Sequence, residues 1–369
     1  MQLQLCVPCL FGLEGLVADE LRRMDMADVR PETGRVYVTG DWHSIPRANI
    51  ALRTGERVLI TLGSFPAASF EALYEGALAL DWQSFIPRDG AFPVKGHALG
   101  PQLRSVPDAQ RIIKKAAADK LGRAYGTERL PETGASYQIQ FAIRDDMATL
   151  YLDTTGAGLY KRGYRPVAGT APLRETLAAA LVNLSRYRGK DVLADPFCGS
   201  GTIAIEAALS ARNRAPGLWR HFAAEAWHQL PKGLWEEARE AAQAKEFHGN
   251  YTILASDIDP DCIALARENA RRAGVLEDIR FEVADARKFA PAAPRGVLVT
   301  NPPYGERVLE VSEAEAIYRD FGRAVRNLEG FSIYILSAHA DFERSFGRQA
   351  DKKRKLYNGM IKCNLYMYR

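Results

Sequence analysis

Five short apolar runs in the C-terminal half of the chain are separated from one another by helical patterns. They read DVLADPF from Asp191, TILASDID from Thr252, IRFEVADA from Ile279, GVLVTNPP from Gly296 and SIYILSA from Ser332. Such alternation predicts an α/β fold with a parallel, doubly wound sheet, because parallel neighbours need a crossover helix between them. Ligands of these sheets bind in the crevice beyond the carboxyl ends of the strands. Here those ends carry Asp195, Asp257, Asp285 and Asn301.

The first half reads differently. Strand, helix and strand patterns through QLQLCVPCL, GLEGLVADELRRM and RVYVTG suggest a small α+β domain over 1–65. A second block, 66–160, holds the helices SFEALYEGALALDW and PDAQRIIKKAAADKLGRAYG and a hairpin turning at Asp145-Asp146. TGAGLYKRGYRPVAGTAP, rich in Gly, Pro and basic residues, reads as a linker into a third domain, 161–369. At 369 residues and 47% hydrophobic, the chain can close three cores and is no disordered or coiled-coil protein. No apolar run approaches the ~18 residues of a membrane span. The start, MQLQLCVPCLFGLEG, lacks a basic n-region, so no signal peptide is expected. Five scattered cysteines argue for a reducing cytoplasm rather than a disulfide framework.

Four motifs carry chemistry. The run Asp195-Pro196-Phe197-Cys198-Gly199-Ser200-Gly201-Thr202 joins a strand to a helix through a glycine turn. Glycines let the backbone approach a ligand, and the helix start offers free N–H groups. No Lys follows as in a phosphate loop, and Asp195 would repel a pyrophosphate, so a ligand bearing an ammonium fits better. A tight turn without a ligand is the plain alternative. At the next strand end, Asp257 or Asp259 can take both hydroxyls of a ribose or cap the following helix. Asp285 ends a third strand and can accept from an adenine amine, or be an ordinary loop residue. Finally, Asn301-Pro302-Pro303-Tyr304 closes a fourth strand. Two prolines fix its backbone, and the Asn301 oxygen and Pro302 carbonyl form two acceptors for an exocyclic amine, with Tyr304 able to stack on the base. Cys198 reads as a packing residue, and neither the lone Cys6-Val-Pro-Cys9 pair nor the histidines have metal spacing.

DPFCGSGT, SDIDP and NPPY resemble the motifs of class I S-adenosylmethionine-dependent amino-methyltransferases. More narrowly, DPFCGSGTIAIEAA, the APGL–FAAEAW insertion, NPPYGER and KKRKLYNGMIKCNLYMY resemble the THUMP-domain RNA methyltransferases, whose bacterial members include the 23S rRNA guanine-N2 methyltransferase. The resemblance implies a ferredoxin-like domain, a THUMP domain and a Rossmann-like class I methyltransferase domain, with a single activity. It implies S-adenosylmethionine as cofactor, S-adenosylhomocysteine as product and no metal. It places the cofactor on Asp195 to Thr202, Asp257 with Ile258, Asp285 with Ala286, and Asn301, and amine chemistry on Asn301, Pro302, Pro303 and Tyr304. Arg162–Arg165 and Leu173 would cover the cofactor. The expected substrate is guanine in RNA, ribosomal RNA before transfer RNA. A DNA adenine-N6 methylase and a non-catalytic RNA-binding assembly factor are the alternatives.

The net charge is only +4, but it is unevenly spread. Residues 104–123 hold six Lys and Arg against two Asp, 160–174 hold four with no acid, and 343–369 hold eight against two acids. An RNA path is therefore predicted over Arg104, Arg111, Lys114, Lys115, Lys161, Arg162, Arg165, Lys352, Lys353, Arg354 and Lys355.

Overall fold

A computed structural model describes every residue except 100–101, 166–172, 292 and 305–310. Part of the expected linker and the Gly305-Glu306-Arg307 continuation of the proline motif lie outside the described residues.

The first half comprises β1 (Leu3–Pro8), α1 (Glu14–Arg23), β2 (Ala27–Glu32), β3 (Arg35–Gly40), α2 (Ser44–Ala51) and β4 (Leu59–Pro66). It continues through α3 (Phe70–Ala79), β5 (Val94–Leu99), α4 (Val106–Tyr125), β6 (Ile139–Arg144) and β7 (Met147–Asp153). All seven strands form one sheet, in the order β2-β3-β1-β4-β7-β6-β5. Strand β4 joins the two halves, pairing with β1 through Leu59 and Ile60 and with β7 from Leu59 to Pro66. The division expected near residue 65 thus falls inside a shared strand, over a core that runs without a break from Leu5 and Ile60 to Ile113 and Leu150. Strands β2 and β5, at the two edges, carry no long apolar alternation and escaped the sequence reading; β2 is mostly exposed and holds Pro31.

The second half contains α5 (Glu175–Leu184), β8 (Val192–Asp195), α6 (Thr202–Ala211), α7 (Leu234–Gln243), β9 (Ile253–Asp257), α8 (Pro260–Arg272) and β10 (Ile279–Val283). Then come β11 (Gly296–Thr300), α9 (Val311–Val325), β12 (Phe331–Ser337), α10 (Phe342–Phe346), β13 (Lys352–Asn358) and β14 (Ile361–Tyr368). The sheet order is β10-β9-β8-β11-β12-β14-β13, and the five strands expected from sequence are parallel. The order reverses between β8 and β11, where a doubly wound sheet opens its binding crevice. The basic C-terminal stretch forms an antiparallel hairpin, with β14 pairing β12 and β13 at the sheet edge.

The insertion between α6 and β9 docks on the first half. Trp227 stacks on Tyr137 at 4.7 Å between centroids and donates from Nε1 to the Ser136 carbonyl at 2.9 Å. Leu218, Phe222, Leu234 and Trp235 join the first half's core. Catalytic and N-terminal parts are thereby packed together rather than merely tethered.

Candidate functional site

Asp195 is the last residue of β8 and is 1% exposed. Thr300 Oγ1, at the end of the neighbouring β11, donates to Asp195 Oδ1 at 2.7 Å. The other oxygen, Oδ2, is buried with no hydrogen-bond partner. Burial pushes this carboxyl up to about 7, with Thr300 and the Phe197 N–H working against the shift. A buried acceptor without a donor costs free energy unless a ligand supplies one, and a cationic donor would also restore the carboxylate.

The turn that follows needs its glycines for two reasons. Gly199 adopts φ +50 and faces open space, leaving room for a ligand against its backbone. Gly201, with φ +81, lets α6 approach α8, where a Cβ would stand 3.0 Å from that of Ala266. Pro196, Phe197, Cys198 and Ser200 complete the turn; the Cys198 N–H donates to the Ser256 carbonyl and Asn269 Nδ2 to the Ser200 carbonyl. Burial raises the Cys198 thiol far above its ordinary value, so it is no nucleophile.

At the end of β9 the two aspartates divide the expected roles. Asp259 caps α8 by accepting from the Asp261 N–H at 2.8 Å. Asp257 faces the glycine turn, accepting from the Gly199 N–H at 2.9 Å, and Ile258 beside it is 62% exposed. Asp285, beyond β10, caps a short turn and is ion-paired with Arg287 at 2.7 Å, a partner the sequence reading did not weigh; that pair holds its carboxyl below the ordinary range. Ala286 is buried.

Asn301 follows Thr300 directly, so the amide sits one residue from the Asp195 contact. Its Oδ1 is buried and has no hydrogen-bond partner. Pro302 is buried, and Tyr318 donates its hydroxyl to the Pro303 carbonyl at 2.6 Å, which fixes the chain beyond the prolines. The Tyr304 hydroxyl points inward, in polar contact with the side chains of Asn358, Asn301 and Cys363, and burial raises it above its ordinary value. Two acceptors without donors, Asp195 Oδ2 and Asn301 Oδ1, therefore stand on adjacent strands at the switch point.

Two of the expected RNA contacts are corrected. Arg162, whose side chain is 2% exposed, reaches Glu206 Oε1 at 3.5 Å and donates to the Leu52, Arg53 and Leu159 carbonyls. Arg165, 8% exposed, pairs with Glu175 at 2.7 Å and donates to Thr202 Oγ1 at 3.0 Å. Both are interior residues, since β-branched and apolar packing around α5 and α6 excludes any external partner. Leu173 is buried in the same core. Arg104, Lys115, Lys161, Lys352 and Lys355 are exposed. Arg111 pairs with Asp108, Lys114 with Glu132 and Lys353 with Glu343, while Arg354 donates to the Gly12 carbonyl. Thr300, Glu206 and Asn358 were missed; a polar Thr at the end of the apolar run GVLVT was the one visible signal.

A cleft of about 600 Å³ lies away from this crevice, between α2, α6 and α7, and contains none of the glycine-turn or proline-motif residues. Among the described residues no three His, Cys, Asp or Glu side chains cluster as a metal set. No described helix is long and apolar enough to cross a membrane.

Residues 162–367 match the family model described as RMKL-like, methyltransferase domain; residues 4–59 match the RlmL ferredoxin-like domain and 67–153 the THUMP domain. The chain belongs to the RMKL-like methyltransferase family. It is an S-adenosylmethionine-dependent RNA methyltransferase with a THUMP domain. It is 44% identical to the provisionally named RNA methyltransferase YpsC of Bacillus subtilis strain 168, over 97% of this chain and 93% of that protein. It is 35% identical to the ribosomal RNA large subunit methyltransferase K/L of Shewanella baltica strain OS195, over 97% of this chain but 52% of that one. The chain thus spans about half the length of such K/L relatives. The crystal structure of SMU.472, a provisionally assigned methyltransferase complexed with SAH, superposes with a TM-score of 0.94 at 37% identity, covering 100% of this chain and 98% of that one. In this RMKL-like methyltransferase, the glycine turn and the proline motif occupy the crevice of the domain that the family model spans.

Proposed function

We propose that the chain methylates the exocyclic N2 amine of a guanine in RNA, with ribosomal RNA as the substrate class. The observation that carries this reading is Asn301 Oδ1, a buried acceptor without a donor beside the glycine turn. Bound S-adenosylmethionine supplies an electrophilic methyl on its sulfonium. The residues present fit that cofactor: Asp195 Oδ2 for its ammonium, Asp257 for ribose hydroxyls, Asp285 and Ala286 for adenine, and open space at Gly199 for its approach.

An aromatic amine is a poor nucleophile because its lone pair is delocalised into the ring. Asn301 Oδ1 and the Pro302 carbonyl each accept one amine hydrogen, which favours the geometry with the lone pair directed away from the ring plane. Both acceptors also favour the positive charge that develops on nitrogen, so their effect is larger in the transition state than in the ground state. Pro303, held through Tyr318, keeps that pair of acceptors in place. Tyr304 forms the wall on which the base stacks. The proton leaves to water after transfer.

The same cradle would suit adenine N6, and the THUMP module at 67–153 favours RNA over DNA. On this reading, residues 1–65 and 66–160 hold RNA, 161–369 catalyse, and the reaction takes place in the cytoplasm. Tritiated-methyl transfer into ribosomal RNA, transfer RNA and DNA from a strain lacking the enzyme, followed by nucleoside analysis, tests it. N2-methylguanosine in ribosomal RNA is expected. N2-methylguanosine confined to transfer RNA would move the substrate, and N6-methyladenine in DNA would overturn the reading.

A further inference from the structure

A guanine whose amine must reach Asn301 cannot do so while stacked in a helix. Drawing it out leaves a gap in the stack, at a cost of a few kcal/mol for unstacking and unpairing. Proteins that open base steps commonly fill such gaps with an apolar side chain held on a rigid support.

The β13–β14 hairpin offers one. Asn358 pairs with Ile361, so the chain turns through Gly359 and Met360 alone, with Gly359 at φ +64. That turn leaves Met360 97% exposed, more than any other large apolar side chain among the described residues. A single exposed apolar residue means little by itself. Its position adds to it: Asn358, two residues earlier, touches the Tyr304 hydroxyl, so the tip stands beside the proline motif. The hairpin is also braced from the N-terminal domain. Phe11 meets Tyr357 edge-on at 5.8 Å, Arg354 donates to the Gly12 carbonyl, and Leu13 and Leu356 share one core.

Around the tip the chemistry suits a nucleic acid. Lys355 and Lys362 are exposed on the two strands, and Lys355 Nζ lies 5.6 Å from the Tyr357 ring centroid. Phe11, 49% exposed, extends the apolar ledge. Lysines on an edge strand also prevent sheet-to-sheet pairing, but that role explains neither the protruding methionine nor the aromatic ledge beneath it.

We propose that Met360 is a wedge that enters the base stack as the target guanine is drawn toward Asn301. Tyr357 and Phe11 support the flanking nucleotide, and Lys355 and Lys362 hold its phosphates. Methionine suits the task, being unbranched and polarizable enough to lie against any base. The inference rests on the base-methylation reading above.

The test uses the full chain and two RNAs carrying the modified position once it is mapped, a stem and its single strand, each with 2-aminopurine beside the target. Wild type is expected to raise 2-aminopurine fluorescence in the stem and to methylate both RNAs. Met360→Ala is expected to lose that rise and to lower the stem-to-single-strand ratio of kcat/KM about tenfold, and Met360→Leu to restore both. Unaltered fluorescence and an unaltered ratio in Met360→Ala, with wild type active, would overturn the wedge alone. No transfer by wild type to either RNA would overturn the methylation reading and the wedge with it.

Discussion

Thr300 Oγ1 donates to Asp195 Oδ1 at 2.7 Å, across two adjacent strands and out of reach of solvent. The bond occupies one carboxylate oxygen and so directs the other, Oδ2, toward the crevice without a partner. It also links the two halves of the site, because the strand that ends in Thr300 continues directly into Asn301.

A pH dependence of cofactor binding follows. Asp195 titrates near about 7 in the free protein, because burial disfavours its charged form. Pairing with an ammonium requires the carboxylate, so binding below that pH releases a proton. Affinity for S-adenosylmethionine should rise with pH toward 7 and level off above it, until the amine itself deprotonates near pH ~8. Calorimetry in buffers of different ionisation enthalpy reads the released proton. Asp195→Asn should abolish the release. For stability the sign is opposite: the raised pKa means that the free protein loses stability as pH rises from the unfolded value through about 7.

Replacing Asn301 tests the amine cradle. Asn301→Ala removes the acceptor and leaves Asp195, Asp257 and the glycine turn in place. Single-turnover methyl transfer should slow by roughly 10²-fold or more, by analogy with other preorganised charge-stabilising groups. Cofactor affinity, measured by calorimetry, should change little. Wild-type rates in this variant would remove the cradle.

Trp227 is predicted to hold the two halves together. Its ring is 3% exposed and stacked on Tyr137. Trp227→Ala should lower stability by about 3–5 kcal/mol in urea unfolding, the range of large aromatic truncations. A loss under 1 kcal/mol, or a loss confined to the catalytic half, would argue against docking through the insertion.

Two cations from neighbouring stretches of sequence should behave in opposite ways. Arg162→Ala leaves Glu206, fully buried, without its guanidinium and should cost about 3–5 kcal/mol of stability. Lys355→Ala should leave unfolding within about 0.5 kcal/mol of wild type. It should instead flatten the salt dependence of RNA binding by about one unit of slope. Filter binding over a salt series, beside urea unfolding, separates the two.

Much of this was legible in the sequence. The five apolar runs became five parallel strands, since their length and spacing leave few other ways to cover both faces. The polar ends at Asp195, Asp257 and Asn301 fell in one crevice for the same reason. Less legible were β2 and β5, whose exposed edges carry little hydrophobic signal. The hairpin β13–β14 was hidden inside what looked like a charged tail, because lysines on an edge strand need no alternation to stay wet.

What the sequence determined by itself is the order of the elements and the chemistry at their ends, because both depend on local pattern and on residue type. Only the tertiary structure decided which of those groups are free to act. Arg162 and Lys161 are neighbours in the chain, yet one is buried against Glu206 and the other lies in water. Asp285 is ion-paired with Arg287, whereas Asp195 keeps an oxygen unbonded. Charge and identity are written along the chain. Whether a group meets a protein partner, solvent or a ligand depends on what distant segments bring beside it, and that is settled only when the sheet and helices pack.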